Sequence, residues 1–258
     1  MNQPMHISAV IITKNEERNI ERCLESLQNV VDEVIVVDSF STDATKEICE
    51  KYDVKFFQQE WLGYAEQKNY ANSLSAYDVI LSIDADEALS PELRQSLLAL
   101  KSADPQNFVY QMNRLTNYCG QWIHHCGWYP DKKIRIFNRN TAKWSGTIHE
   151  TLSFPSDVQV ISLKGDLYHY SFYSIDEQIA QTNKYSALAA KRYFEQNKKC
   201  SVAMILLKTT WQFMRDYFFK GGFLDGFYGL VICRINALTV FLKYVKLRQL
   251  YKNKNCNN

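Results

Sequence analysis

The apolar positions of the first hundred residues switch between two periods. Residues 7–12 form a short β-branched run, the pattern of a buried strand. Thr13-Lys14-Asn15-Glu16 follows with the Thr-x-x-Glu spacing of a capping box, and Ile20, Cys23, Leu24 and Leu27 recur at helical spacing. Residues 34–37 predict a second buried strand ending at Asp38. Residues 39–45 are rich in capping types and open a second helix through Ile48, Cys49 and Tyr52, with Ser41, Thr42 or Asp43 as its cap. A third strand at 54–57, a third helix at 64–74 and a fourth strand at 79–83 follow, the last running into Asp84-Ala85-Asp86-Glu87. Ser90-Pro91-Glu92 starts a further helix with Pro at its favoured first position.

Strands alternating with helices of this length imply βαβ units, a parallel sheet and right-handed crossovers. Ligands of such sheets bind beyond the carboxyl ends of the strands. Residues 13–16, 38–43 and 84–87 therefore aim polar groups at one edge. From 108 to 170 the texture changes to short strands, such as 108–114 and 134–138, between loops dense in Trp, Tyr and His. Residues 122–132 read as an aromatic loop. Helical patterns return at 175–196, 202–219 and 230–251, with Gly221-Gly222 separating the last two. No internal repeat is visible. These readings divide the chain into a catalytic domain at 1–174, whose halves are 1–100 and 101–174, and a helical extension at 175–258.

Length and composition narrow the class. At roughly 150 residues per domain, 258 residues make one large domain or two small ones, and 46% apolar residues supply an ordinary core. Disordered, collagen-like and disulfide-stapled chains are excluded on these grounds. Seven cysteines without a C-x-x-C pair point to free thiols in a reducing cytoplasm, and the polar start lacks the pattern of a signal peptide. The best spanning candidate, 226–242, carries Arg234 at its middle, which argues against a transmembrane helix. A net charge of +2 gives no reason to expect nucleic acid as a partner. That average conceals an asymmetry: −5 before Ser201 and +7 after it.

Asp84 and Asp86, spaced i, i+2 at a strand end, are a hard-oxygen pair suited to Mg²⁺ or Mn²⁺ bridging to phosphate oxygens. The alternative is a solvated acidic turn ahead of a helix. Asp38 is not required as a cap and can accept from a ribose hydroxyl or a base N–H. Residues Thr13 to Glu16 can line the other side of the same pocket.

The series Ile11-Ile12-Thr13-Lys14-Asn15-Glu16, Val37-Asp38-Ser39-Phe40-Ser41-Thr42-Asp43 and Asp84-Ala85-Asp86 resembles glycosyltransferase family 2 with its GT-A fold. The stretch Gly127-Trp128-Tyr129-Pro130-Asp131, with Arg135-Ile136-Phe137, Trp144 and His149-Glu150, resembles the bacterial lipopolysaccharide-core β-glycosyltransferase branch. The resemblance implies inverting transfer of a hexose from a nucleotide-diphospho-sugar, UDP-linked, to a hydroxyl of a lipopolysaccharide-core or other lipid-linked glycan. It implies donor contacts from Thr13, Asn15, Glu16, Asp38, Lys68, Asp84 and Ala85, and metal ligation by Asp86 and His169. Glu150 is then the base, with Asp131 as the other candidate. Each has a plainer reading: His169 as a structural histidine between two tyrosines, and Asp131 as a turn residue after Pro130.

Trp122, His125, Trp128 and Tyr129 are candidates for an acceptor platform, since sugar faces stack on rings; the alternative is a packed aromatic loop. The basic, aromatic C-terminal helices fit a peripheral site on the cytoplasmic face of the inner membrane. A helical subdomain with snorkelling Lys and Arg, or a homo-oligomer interface, is the competing reading. Two other functions compete. A sugar nucleotidyltransferase would carry a Gly-rich loop after the first strand, where this chain has Thr13-Lys14-Asn15-Glu16. A non-catalytic sugar-nucleotide or lipid-binding protein would need no base.

Overall fold

The structure, a computed structural model, describes residues 5–101, 108–146 and 150–256, the side chains of 255 and 256 excepted. The chain falls into two compact units. One comprises Met1–Leu115 with Asp131–Tyr170, the other Thr116–Pro130 with Ser171–Asn258. The α/β architecture expected from the alternating periods is present.

Parallel strands β1 (Ile7–Thr13), β2 (Glu33–Asp38), β3 (Lys55–Gln58) and β4 (Val79–Ser82) lie in the order β3-β2-β1-β4. The sheet continues through β8 (Asp131–Asn138), β6 (Phe108–Tyr118), β11 (Gln159–Phe172) and β5 (Glu87–Leu89), with β7 (Gln121–Ile123) paired to β6. The β4–β8, β6–β8, β6–β7 and β11–β5 pairs are antiparallel. A separate two-stranded ribbon joins β9 (Lys143–Ser145) to β10 (Thr151–Ser153).

The two-residue side-chain period of a strand decides what packs where. Ile7, Ala9 and Ile11 of β1 join one buried cluster with Ile20, Cys23, Leu24 and Leu27 of α1 (Ile20–Leu27) and with Leu93 and Leu97 of α4 (Pro91–Leu100). Val10 enters a second cluster with Ile35, Val37 and Ile80, covered by Ala65 and Ala71 of α3 (Tyr64–Ser73). The β1–β2 register places Thr13 opposite Asp38, so both strands end level at the site. Ser90 caps α4 as expected, accepting from Leu93 N–H at 3.2 Å, and it also accepts from Asp166 N–H at 3.0 Å. That close approach needs Gly165, whose φ is +89° and whose missing Cβ would lie 2.3 Å from the Leu93 nitrogen.

Several local expectations are corrected. Thr13 to Glu16 is not a capping box: Thr13 ends β1, α1 starts only at Ile20, and Glu16 instead accepts from Asn19 Nδ2 at 2.8 Å. The second helix, α2 (Thr45–Cys49), stops short of Tyr52, and its cap position is Ala44 rather than Ser41, Thr42 or Asp43. Asp43, one residue earlier, accepts from the Thr45 amide at 3.1 Å and its hydroxyl at 2.6 Å. The aromatic loop at 122–132 contains part of β7 and the start of β8. The 14-residue β11 is the largest element that periodicity misses.

In the second unit, α5 (Ile175–Glu195), α6 (Val202–Met214) and α7 (Gly226–Cys256) carry the helical patterns. A π-helical turn at Arg215–Phe219 extends α6, and Gly221, at φ +65°, makes the expected break. Among the described residues no helix is long and apolar enough to cross a membrane.

Candidate active site

A cavity of about 540 Å³ opens in the first unit beyond the ends of β1 and β4. Thr13, Lys14 and Glu16 line it from the segment after β1, and Asp84, Ala85 and Asp86 from the segment after β4. Lys68 of α3, Glu150 and His169 of β11 complete its charged wall. Trp61 and Tyr64, with ring centroids 4.7 Å apart, add an aromatic one. Gly63, which lies between them in sequence, has a φ of +110° that turns the chain into α3.

The acidic turn is built by its own residues. Glu87 N–H donates to the Asp84 carbonyl at 2.9 Å, while Glu87 Oε2 accepts from Asp84 N–H at 3.1 Å. Glu87 is wholly buried and shares a buried cation, Arg135 of β8, which reaches Glu87 Oε1 at 2.5 Å and Asp84 Oδ2 at 2.6 Å. Lys68, also buried, stands 3.1 Å from Asp84 Oδ1 and 3.3 Å from Glu150 Oε1, with the Trp144 ring 4.8 Å away. Burial alone would raise the Asp84 carboxyl, but Arg135 and Lys68 outweigh it and hold it well below the usual carboxylate range. Burial raises Glu16, against the hydrogen bond from Asn19 and with added repulsion from Asp86, Asp43 and Asp84.

Both oxygens of Asp84 are engaged by cations, and Asp86 Oδ2 lies 3.2 Å from His169 Nε2. The β5–β11 ladder sets that pair: His169 aligns with Glu87, and Tyr170 N–H donates to the Asp86 carbonyl at 2.9 Å. Among the described residues no group of three or more His, Cys, Asp and Glu side chains is arranged to hold a metal ion. The Asp86 carboxylate on the cavity wall is the ligand type that suits Mg²⁺ or Mn²⁺, with waters and substrate phosphates as the remaining ligands.

Other expected residues lie elsewhere. Asp38 is fully buried, and its two carboxylate oxygens accept from the Ser41 hydroxyl and, at 2.8 Å, the Ser41 amide. Asn15, at φ +56°, accepts from Thr42 N–H at 2.8 Å and donates its own amide to the Ser41 hydroxyl. Both brace the segments that carry Thr13 and Glu16, and neither lines the cavity. Asp131 is likewise outside the lining, paired with Arg114 at 2.8 Å and Lys133 at 3.0 Å. Trp122, His125, Trp128 and Tyr129 belong to the second unit. There Trp128 packs edge-on against Tyr118, Tyr129 against His124, and His125 Nδ1 lies 2.9 Å from the buried Asp225. His149 lies outside the described residues.

Four contributors were not singled out from sequence for a role here: Arg135, Glu87, Trp61 and Tyr64. A charged residue inside the apolar run Ile134-Arg135-Ile136-Phe137 was the available signal for Arg135, and Trp61-Leu62-Gly63-Tyr64 for the aromatic pair.

The glycosyl transferase family 2 model matches residues 8–155, more than half of the chain, and the chain belongs to that family. It is a glycosyltransferase with a GT-A fold. An uncharacterized glycosyltransferase of Rickettsia typhi is 38% identical over 254 residues, covering 95% of this chain and 87% of its own length. The lipopolysaccharide core biosynthesis glycosyltransferase LpsC of Rhizobium meliloti is 30% identical over 255 residues, covering 94% and 92%. A crystal structure of S. aureus TarS 1–349 with UDP-GlcNAc aligns with a TM-score of 0.47 at 16% identity, covering 97% of this chain and 92% of that one.

Proposed function

We propose that this glycosyltransferase moves a hexose from a UDP-sugar to a hydroxyl of a lipopolysaccharide-core or other lipid-linked glycan, with inversion and in a single displacement. The observation that carries the reading is the convergence of Lys68, Asp84, Asp86, Glu150 and His169 on one cavity beyond the parallel strands of a family 2 chain. The relative LpsC supports the acceptor class by its name.

Glu150 takes the proton of the acceptor hydroxyl as its oxygen bonds to the anomeric carbon and the bond to the diphosphate breaks. Such proton transfer contributes about 10²–10⁴ in rate. Lys68, between Asp84 and Glu150, holds the base in place and presents positive charge to the donor side. Trp61 and Tyr64 offer ring faces to the base or sugar of the nucleotide. Asp86 and His169 would hold Mg²⁺ or Mn²⁺, which supplies Lewis-acid chemistry toward a diphosphate. The C-terminal helices attach the enzyme to the cytoplasmic face of the inner membrane, where its acceptor would lie.

The test is a donor screen. The full chain is incubated with UDP- and GDP-sugars, divalent metal and a lipid extract, and released nucleoside diphosphate is measured. One UDP-hexose turned over by the natural chain, and about 10²–10⁴ more slowly by Glu150→Gln, is the expected result. No turnover of any donor overturns the reading.

A further inference from the structure

The second unit holds a cavity of about 860 Å³ between the turn that precedes α6 and the last turns of α7. Lys199, Arg248, Lys252 and Lys254 line it, and the lining contains no carboxylate. Among the described residues none of these four cations has an acidic partner within ion-pair distance. Arg248 donates one guanidinium N–H to the Cys200 carbonyl at 3.3 Å, which fixes its stem at the cavity wall. Tyr251 also lines the cavity, and its buried hydroxyl has no hydrogen-bond partner. Four cations around one concavity, with no carboxylate in its lining, call for an anion bearing several oxygens, and phosphate has that form.

From Cys200, on the cavity wall, the chain runs through the capping Ser201 directly into α6. That helix buries a single residue, Ile205, which joins Ala190, Tyr244 and Leu247 of α5 and α7. Leu207, Trp211, Met214 and Phe218 recur at i, i+4, i+7 and i+11, and all are exposed. Phe219, 73% exposed, extends the patch with its ring 5.7 Å from Trp211. An exposed apolar stripe of this size marks an interaction surface rather than a solvated helix. Rings and aliphatic chains beside clustered cations complement one surface in particular, an anionic bilayer with acyl chains below its phosphates.

We infer that the cationic cavity seats the phosphate of an anionic phospholipid headgroup while the apolar stripe of α6 enters the same leaflet. The inference rests on the membrane attachment proposed above and adds to it a headgroup site and a lipid preference. It would orient the enzyme by two contacts that adjoin along the chain, one polar and one apolar.

Sedimentation of the full chain with vesicles tests it, using phosphatidylcholine alone or doped with phosphatidylglycerol. The natural chain should bind the doped vesicles more tightly. Arg248→Glu with Lys252→Glu should weaken that binding about tenfold or more, two reversed surface charges being ample for this. Leu207→Asp should weaken binding to both vesicle types. Unchanged circular dichroism and Tm confirm that these exposed substitutions leave the fold intact. Equal binding by the charge-reversed variant overturns the headgroup site while leaving membrane attachment standing. No binding of the natural chain to either vesicle overturns both. Titration with inorganic phosphate separates the remaining source: phosphate binding lost in the same variant, without vesicle binding, assigns a soluble phosphate ligand and overturns the lipid proposal.

Discussion

The Lys68 ammonium lies 3.3 Å from Glu150 Oε1, so the residue assigned as base is ion-paired to a cation that also holds the donor-side Asp84. One side chain of α3 thereby links two segments far apart in sequence. Removing it, as in Lys68→Met, should lower kcat by about 10²–10³, the scale of one lost stabilising group in a dry site. Lys68→Arg should retain much of the activity, because charge rather than fork geometry is what both carboxylates use. Steady-state kinetics with the donor found in the screen checks this. Equal rates for Lys68→Met and the natural chain would remove Lys68 from the mechanism.

Arg135 carries a structural prediction. It is buried between Asp84 and the wholly buried Glu87. Breaking a buried ion pair by deleting one partner costs about 3–5 kcal/mol, because the remaining charge is stranded. Arg135→Met should therefore lower Tm by about 6 °C or more for a chain of this size. Adding Glu87→Gln should recover part of the loss, since it removes one stranded charge. Calorimetry of the two variants reads out that coupling.

Glu16 sets a pH dependence of opposite sign to Asp84. Its folded-state carboxyl is raised, chiefly by burial, so the ionised form is less favourable in the folded than in the unfolded chain. The cost is absent below the unfolded value of about 4.3 and develops as pH rises through the folded one. Glu16→Gln should thus be more stable than the natural chain near neutrality, with the difference closing by about pH 4. Asp84, held low, contributes stability that is lost only as pH falls below the ordinary carboxylate range. Thermal melts across pH of the Glu16 variant and the natural chain give the sign directly.

The proposed cation site at Asp86 and His169 carries a metal prediction. Chelation should abolish turnover, with Mn²⁺ or Mg²⁺ restoring it. Replacing a residue that merely supports a metal ligand costs about 10–100-fold in affinity, so Asp86→Asn should raise the half-saturating metal concentration by at least that much. Full activity after chelation, with metal-free buffers verified, would remove the cation from the proposal.

The sequence made the first hundred residues legible because their buried strands and amphipathic helices obey clean periods. It failed where one residue type serves two environments. Residues 159–172 alternate poorly, since few of their side chains are fully buried and Gly165 interrupts the run, so β11 escaped notice although it carries His169. Thr13 and Glu16 match a capping box by spacing, yet a longer turn intervenes before Ile20 and their side chains go to the cavity. For the site, Asp84, Asp86, Lys68 and Glu150 were legible as residue types, and only the fold could show them sharing one wall. Asp38 was legible as the acid at a strand end, and only the fold shows that it is buried with both oxygens accepting from Ser41. Nothing local to Ile134-Arg135-Ile136 says which acids Arg135 will meet.

The pairing of β5 with β11 is only three residues long, with His169 opposite Glu87. Such a ladder works as a ruler: it measures off which side chain stands beside Asp86. Inserting one residue between Gly165 and His169 would turn every later side chain of the strand to the other face. Inserting two would restore the face yet displace the imidazole by about 7 Å. Point changes on this strand are a matter of degree, whereas a change in its length erases the address of the histidine. Among descendants of this chain, variation in length should therefore collect in the surface connections and spare the seven residues from Gly165 to Ser171.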